Sequence, residues 1–180
     1  YERRLEDIFR VQDEIAAAIV ARLRIELAPQ EQALAVRDKA PTQNVQSYEL
    51  YLQGRAAWKR RGEDNLKKAI DLYQRAIGLD PGFARAHAAL ASAYVVLPGY
   101  TREEGDEAQF LRLAETSARQ ALSIDPNIGE AHAVLAQMNA QRGDLLDAES
   151  GFFFAISLEP NDPTPHHWYS LLLGQVGRVD

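Results

Sequence analysis

A recurring helix ending constrains the fold of this chain more than any other feature of its sequence. Three segments run from an alanine through alternating small and aliphatic residues to an acidic residue and a proline, at 76–81, 121–126 and 155–160. A proline disfavours helical conformation in the residue before it, so each segment predicts the end of a helix. A new helical pattern with an Ala-His or His-His pair follows each proline. The chain is therefore built from an internal repeat of helices.

The third repeat also agrees in detail with a known pattern. Pro126 and Pro160 are 34 residues apart, and Gly143 followed by Asp144 predicts a turn between two helices. Glycine readily takes the left-handed conformation that ends a helix, and aspartate can cap the next one. Small side chains would let the two helices approach closely, and one aromatic ring would fill the space between hairpins, at Ala136, Ala148, Ala155 and Phe152. Together these residues resemble the tetratricopeptide repeat.

This resemblance implies an all-α fold, in which tetratricopeptide-type antiparallel helical hairpins stack as a right-handed α-solenoid. We expect a repeat domain over residues 44–180, with units at about 44–81, 82–126 and 127–160 and a partial unit at 161–180. Pro81 and Pro126 are 45 residues apart, which is 11 more than 34. We place this excess in a long turn between the two helices of the second unit.

The residues before the repeats differ from them. Apolar residues recur every three or four positions over 1–28 and predict an amphipathic helix, followed by a linker at 29–43. The helix either caps the first hairpin or ends a preceding domain. Residues 1–15 resemble the last helix of a TolB-like α/β domain, and residues 41–55 resemble the entry to the repeats that follow it in bacterial signalling proteins. That resemblance implies a parent protein whose output domain is a class III adenylate cyclase or a winged-helix regulator.

Composition excludes several classes of partner. The formal net charge is −6, and no cluster of lysine and arginine offsets it, which argues against a nucleic-acid partner. The chain has no cysteine, so disulfides and cysteine-ligated metal sites are excluded. No stretch approaches the ~20 apolar residues that cross a bilayer. We expect no membrane span in this fragment and a cytoplasmic location.

Signatures of catalysis are missing from the sequence. It contains no phosphate-binding loop, no dinucleotide-binding glycine pattern and no nucleophile elbow. His87 and His132 occupy equivalent places in successive repeats, where core or half-buried packing is expected. His166 and His167 would point about 100° apart on a helix, which disfavours a shared metal. We predict no catalytic residue, cofactor or metal, and no enzyme in this fragment. The adenylate cyclase domain that the resemblance implies as one form of the parent protein would lie outside it.

A binding surface is expected where the first helices of the hairpins line a concave groove. The residues predicted to line it are Arg55, Lys59, Arg85, Ser92, Glu130, Gln137 and Gln141. The alternative is a solvated polar face with no partner. Related families that clamp acidic chaperone tails carry lysine and asparagine in this groove. Here Ala88, Ser92, Ala133 and Gln137 stand instead, so that activity is not supported.

The sequence therefore predicts a protein–protein interaction scaffold, the regulatory tail of a larger bacterial signalling protein, with a protein or peptide partner of unknown identity. The alternative is a sensor that binds a peptide or small molecule in the groove and controls a cyclase or DNA-binding output domain. A deep aromatic pocket near Trp58, Tyr94 or Tyr100 would favour the sensor. Apolar residues on the terminal helices also predict a homodimer.

Overall fold

A computed structural model describes residues 42–101 and 107–177. In this part of the chain the backbone forms α-helices and one short 3-10 helix, with no strand. The helices are α1 (Val45–Arg60), α2 (Glu63–Leu79), α3 (Ala84–Val96), α4 (Glu107–Ile124), α5 (Gly129–Arg142), α6 (Leu145–Leu158) and α7 (Pro163–Gln175). The predicted all-α fold is confirmed. The helix predicted at 1–28 and most of the linker predicted at 29–43 lie outside the described residues.

The helices pack as a stack of hairpins. α1 packs on α2, α3 on α4, and α5 on α6, while α7 packs on both helices of the third hairpin. The second helix of each hairpin also contacts the first helix of the next, and α1, α3, α5 and α7 follow one another along one face. This order gives the right-handed α-solenoid that the repeat predicts. The long turn predicted in the second unit begins with the 3-10 helix Leu97–Gly99.

Small residues allow the helices of each hairpin to approach closely. Ala136, Ala148 and Ala155 are all buried in the third hairpin, as the sequence indicates. In the first hairpin, a Cβ atom placed on Gly54 would lie 2.4 Å from Cε1 of Tyr73. The backbone of α1 therefore rests directly on an aromatic ring of α2. Any side chain at position 54 would push the two helices apart.

The turn of the third hairpin was predicted only in part. Gly143 has a φ of 88°, the left-handed conformation expected of a residue that ends a helix. Asp144 stands at the N-cap position of α6, but its side chain accepts no hydrogen bond from the helix, so the predicted cap is wrong. Side-chain caps occur elsewhere. Asn44 caps α1 and Asp162 caps α7, each by accepting a backbone N–H of the first turn.

The repeated histidines have a structural role that the sequence did not reveal. In three successive repeats, the ring Nε2 lies 2.9 to 3.0 Å from the carbonyl oxygen of the proline six residues before it. The pairs are His87 with Pro81, His132 with Pro126 and His166 with Pro160. A carbonyl can only accept, so Nε2 donates the bond. Each imidazole thus ties the start of a new hairpin to the turn that precedes it.

Candidate functional site

A cavity of about 430 Å³ opens among the first helices of the stack. Its lining comes from α1, from the starts of α3 and α5, and from the turn between α6 and α7. The lining residues are Tyr51, Arg55, Arg85, Ile128, Glu130, Glu159, Pro160, Asn161, Asp162 and Pro163. We call this cavity the groove. Its volume lies within the range of about 300–1,000 Å³ that is usual for ligand pockets.

An ion pair crosses the floor of the groove. Nη1 of Arg55 lies 2.8 Å from Oε1 of Glu130, and the two residues are 75 positions apart in sequence. Arg55 belongs to the first hairpin and Glu130 to the third, with α3 between them. Ala88 and Ser92 are small and buried on the intervening helix. Because these two side chains are short, Arg55 can reach Glu130 across α3.

Burial sets the electrostatics of this pair. The side chain of Glu130 is only 8% exposed and that of Arg55 23% exposed. Burial raises the pKa of Glu130, while the Arg55 guanidinium opposes that shift. The Glu130 carboxylate in turn raises the pKa of Arg55. The hydroxyl of Ser92 is buried and has no hydrogen bond of good geometry, yet it lies near enough to the carboxylate to lower the Glu130 pKa.

Glu159 brings a second carboxylate to the groove. Its Oε2 accepts a hydrogen bond of 3.2 Å from the backbone N–H of Glu130, in the first turn of α5. Its Oε1 lies 3.6 Å from Nη2 of Arg85, which comes from the start of α3. The α5 N-terminus therefore receives its carboxylate from the far end of its own hairpin, because its N-cap residue, Ile128, offers none.

The same position behaves differently in the two earlier repeats. There the acidic residue before the proline is an aspartate, Asp80 or Asp125. Each accepts a hydrogen bond from the backbone N–H two residues later, at 3.0 and 2.9 Å. Neither aspartate lines the groove, and Asp80 also accepts a hydrogen bond from the hydroxyl of Thr42, just before α1. Glutamate in the third repeat has one more methylene and reaches the groove instead.

Three further polar side chains lie in the lining, those of Asp162, Tyr51 and the exposed Asn161. Asp162 is half-buried, and one of its carboxylate oxygens accepts a 2.9 Å hydrogen bond from the N–H of Thr164 at the start of α7. Tyr51 is 9% exposed, and its hydroxyl makes no hydrogen bond to any residue that the structure describes. Burial raises the pKa of Tyr51 to about 12, so the phenol is neutral at physiological pH.

The structure brings together three of the seven residues predicted to line the groove: Arg55, Arg85 and Glu130. The other four are placed elsewhere. Ser92 is fully buried below the lining, Lys59 and Gln141 are exposed outside it, and Gln137 is half-buried outside it.

Sequence reasoning missed Tyr51, Glu159 and Asp162. The last two lie in a turn, and the prediction followed only the faces of the first helices. The change from Asp-Pro to Glu-Pro at 159–160 was the available signal.

The aromatic residues named as markers of a sensor pocket do not line the groove. Trp58 is buried beneath two guanidinium groups, with Cζ of Arg61 at 3.7 Å and Cζ of Arg55 at 5.4 Å from the ring centroid. Tyr94 is buried and Tyr100 is 43% exposed. Tyr51 is the aromatic residue that the lining contains.

Searches for two other kinds of site were negative over the described ranges. Residues 42–101 and 107–177 contain no cluster of three or more histidine, aspartate or glutamate side chains arranged to hold a metal ion. None of the helices in these ranges combines the length and apolar character needed to cross a membrane.

Comparison of the sequence with known proteins gives one informative match. No protein-family model matches the chain. Over 92 residues, the chain is 37% identical to "Putative adenylate cyclase 3" of Rhizobium meliloti (strain 1021). The match covers 51% of this chain and 15% of that protein, so the chain spans only a small part of its relative.

Comparison with solved structures shows the fold. The chain is similar to the first TPR domain of Spaghetti (RPAP3) bound to an HSP90 peptide, with a TM-score of 0.53, 16% identity, and coverage of 77% of this chain and 99% of that one. It is also similar to the Sgt2 TPR domain from Aspergillus fumigatus, with a TM-score of 0.54 and 20% identity. That match covers 77% of this chain and 84% of the other. The Arabidopsis OM64 TPR domain has a TM-score of 0.53 and 22% identity to this chain. That match covers 72% of this chain and 96% of the other. The chain has the tetratricopeptide-repeat fold.

Proposed function

We propose that this chain is a protein-interaction module that binds a segment of a partner protein in the groove. The observation that carries the proposal is the groove itself, where side chains from all three hairpins and the following turn surround about 430 Å³. Charged groups in it come from elements distant in sequence, so the stack must be folded for the site to exist. A solved relative with the same fold, Spaghetti (RPAP3), holds an HSP90 peptide.

The larger role that we propose is that of a regulatory tail in a bacterial signalling protein. Support comes from the 37% identity to the Rhizobium meliloti protein, of which the match covers 15%. The remainder of such a protein would supply the output domain. The chain would act by holding a partner against that domain.

A sensor of small molecules remains the second candidate, because the groove volume also suits a compact ligand. Its single aromatic lining residue favours a peptide segment over an aromatic ligand.

The groove is tested by blocking it. Asn161 is exposed and lines the groove, whereas Asn127 stands at the equivalent place in the previous repeat and does not. We expect Asn161→Trp to fill the groove and Asn127→Trp to leave it open. Wild-type chain and both variants serve as bait in a bacterial lysate, with mass spectrometry of the captured proteins. A partner lost only with Asn161→Trp supports the proposal, and partners retained by both variants contradict it.

The regulatory role needs the parent protein. The same two substitutions are placed in the full-length protein, and its cyclic AMP production or promoter binding is measured. We expect Asn161→Trp to change the output and Asn127→Trp to leave it unchanged. An output that responds to neither would remove the signalling role while leaving partner binding intact.

Self-association is a separate proposal. Large apolar side chains on α6 and α7 are exposed, with Leu146 at 80%, Phe153 at 55% and Leu171 at 49%. Such a surface can drive pairing of two copies. Light scattering over a concentration series tests it, and a chain that stays monomeric throughout contradicts it.

A further inference from the structure

We infer that the groove selects a cationic side chain, a lysine or an arginine of the partner segment. This inference rests on the proposed function, because it names the chemistry of the partner that the groove would bind. It is carried by the balance of charge in the lining, by the apolar walls beside that charge, and by a nine-tenths buried tyrosine whose hydroxyl makes no hydrogen bond to the described residues.

The charges of the lining do not cancel. Three carboxylates, from Glu130, Glu159 and Asp162, face two guanidinium groups, from Arg55 and Arg85. Arg55 already forms an ion pair with Glu130, with Nη1 and Oε1 2.8 Å apart. Arg85 lies 3.6 Å from Glu159 and is 51% exposed, which is a loose and solvated pairing. One negative charge therefore remains without a matching cation in the lining.

Asp162 is the carboxylate best placed to receive a ligand. Its one hydrogen bond within the described residues goes to the N–H of Thr164, which leaves acceptor capacity on the carboxylate. No basic side chain of the described residues pairs with it within 4 Å. The nearest competing cation is Arg55, which Asp162 attracts at longer range and which is paired with Glu130 at 2.8 Å.

The remaining lining suits the stem of a basic side chain. Ile128, Pro160 and Pro163 offer apolar surface beside the carboxylates. Lysine and arginine carry long aliphatic stems that pack on such surface while the charged head seeks a polar partner. Tyr51 is nine-tenths buried as a residue and borders the cavity, and its hydroxyl makes no hydrogen bond to the described residues. Its oxygen can accept from an ammonium or guanidinium group, which are donors only.

An acidic segment fits the groove poorly. It would have to draw Arg55 away from Glu130, and it would approach two other carboxylates on the way. Arg85 alone could meet it, from an exposed position. The groove therefore differs in charge from one that would clamp an acidic tail, although the fold is shared.

The test uses four pools of fluorescein-labelled nine-residue peptides. The central residue is lysine, arginine, glutamine or glutamate, and the other positions are randomised over the same neutral amino acids. Binding to the wild-type chain is followed by fluorescence anisotropy. We expect the lysine and arginine pools to bind about tenfold more tightly than the glutamine pool, the size of one charge-assisted hydrogen bond, and the glutamate pool to bind most weakly.

Charge-removing variants locate the effect. Asp162→Asn keeps a good helix cap for α7, and Glu159→Gln keeps an oxygen acceptor for the N–H of Glu130, so both should fold. We expect either variant to weaken the lysine pool about tenfold and to leave the glutamine pool unchanged. Asp147→Asn makes the same change of charge at an exposed site on α6 and should alter neither pool.

The outcomes separate this inference from the proposed function. If the glutamine or glutamate pools bind as tightly as the lysine pool and Asn161→Trp abolishes all binding, the groove binds peptides but the cationic preference is wrong. If Asp147→Asn weakens the lysine pool as much as Asp162→Asn does, overall charge explains the preference and the inference is also wrong. If no pool shows binding that Asn161→Trp removes, the proposed groove function fails together with the inference.

Discussion

The groove and the outer faces of the helices both carry ion pairs, but in different surroundings. In the groove, Arg55 and Glu130 join the first and third hairpins and are largely buried. On the outer face of α4, Arg119 and Glu115 are four residues apart and pair at 2.7 Å, with the arginine side chain 67% exposed. The outer pair links one turn of a helix to the next. The groove pair links separate hairpins and therefore depends on the whole stack.

This difference decides what each pair contributes to stability. An exposed pair four residues apart on a helix contributes about 0.3–0.5 kcal/mol, because water screens the charges in either state. A buried pair gains little over an apolar replacement, since both ions lose their hydration. Removing one member is costly, because the other is left as an uncompensated buried charge. The groove should therefore be much more sensitive to substitution than the outer faces.

The largest effect is expected for Arg55→Met. This change leaves Glu130 buried without its partner and should lower the free energy of unfolding by about 3–5 kcal/mol. Arg75→Met, which breaks an exposed pair with Asp71 on α2, should cost less than about 0.5 kcal/mol. Urea denaturation measures both. Equal losses would contradict the comparison, and the double variant Arg55→Met/Glu130→Met should recover most of the stability.

The next effect concerns the backbone beneath the groove. Gly54→Ala places a methyl group 2.4 Å from Tyr73 and should cost about 1–3 kcal/mol through overpacking. Gly78→Ala is the matched control on α2, because no atom lies within 4 Å of its added Cβ. That change should stabilise the helix by about 0.5–1 kcal/mol. Thermal unfolding followed by circular dichroism distinguishes the two, and a neutral result for Gly54→Ala would contradict the close contact.

A smaller effect is expected for the turn that faces the groove. Glu159→Ala removes the acceptor of the Glu130 N–H and should cost about 1 kcal/mol. Glu159→Gln keeps an oxygen at that place and should cost less than half as much. Urea denaturation gives both values. If the two variants lose the same stability, the charge of Glu159 matters and its hydrogen bond does not.

The smallest effect is a difference in pH dependence between two carboxyl groups. Burial raises the pKa of Glu130, so its contribution to stability is present below the ordinary pKa near 4.5 and is lost as pH rises through the raised value. Hydrogen bonds from Arg119 and Arg142 lower the pKa of Glu115, whose contribution is present above 4.5 and is lost as pH falls through the lowered value.

Urea midpoints from neutral pH to below 4.5 test the two signs. Relative to Glu130→Gln, the wild type should gain stability as pH falls. Relative to Glu115→Gln, it should lose stability on the acid side, by less than about 0.5 kcal/mol because both arginine partners are more than half exposed and water screens the pairs. The same sign for both carboxyls would contradict the contrast in burial.

Part of the groove was predictable from helical periodicity. Arg85 and Glu130 begin the first helices of their repeats, and their face follows from the helical period. Ser92 was predicted on the same side of α3 as Arg85, but the prediction did not foresee that it is fully buried. Burial depends on what packs against that side of the helix. Lys59 and Gln141 were predicted as later residues of the first helices α1 and α5. The cavity ends before it reaches them.

Sequence alone was enough to predict the helices, the places where they end and the close packing within the third hairpin. These features depend on local preferences, such as proline after a helix, glycine in the left-handed conformation at Gly143, and alanine at helix contacts. Which charges meet depends on how the hairpins stack. Arg55 and Glu130 are 75 residues apart, and Glu159 reaches the groove because its turn is stacked against α5. Distances between repeats follow from how the hairpins stack, and no local pattern in the sequence encodes them.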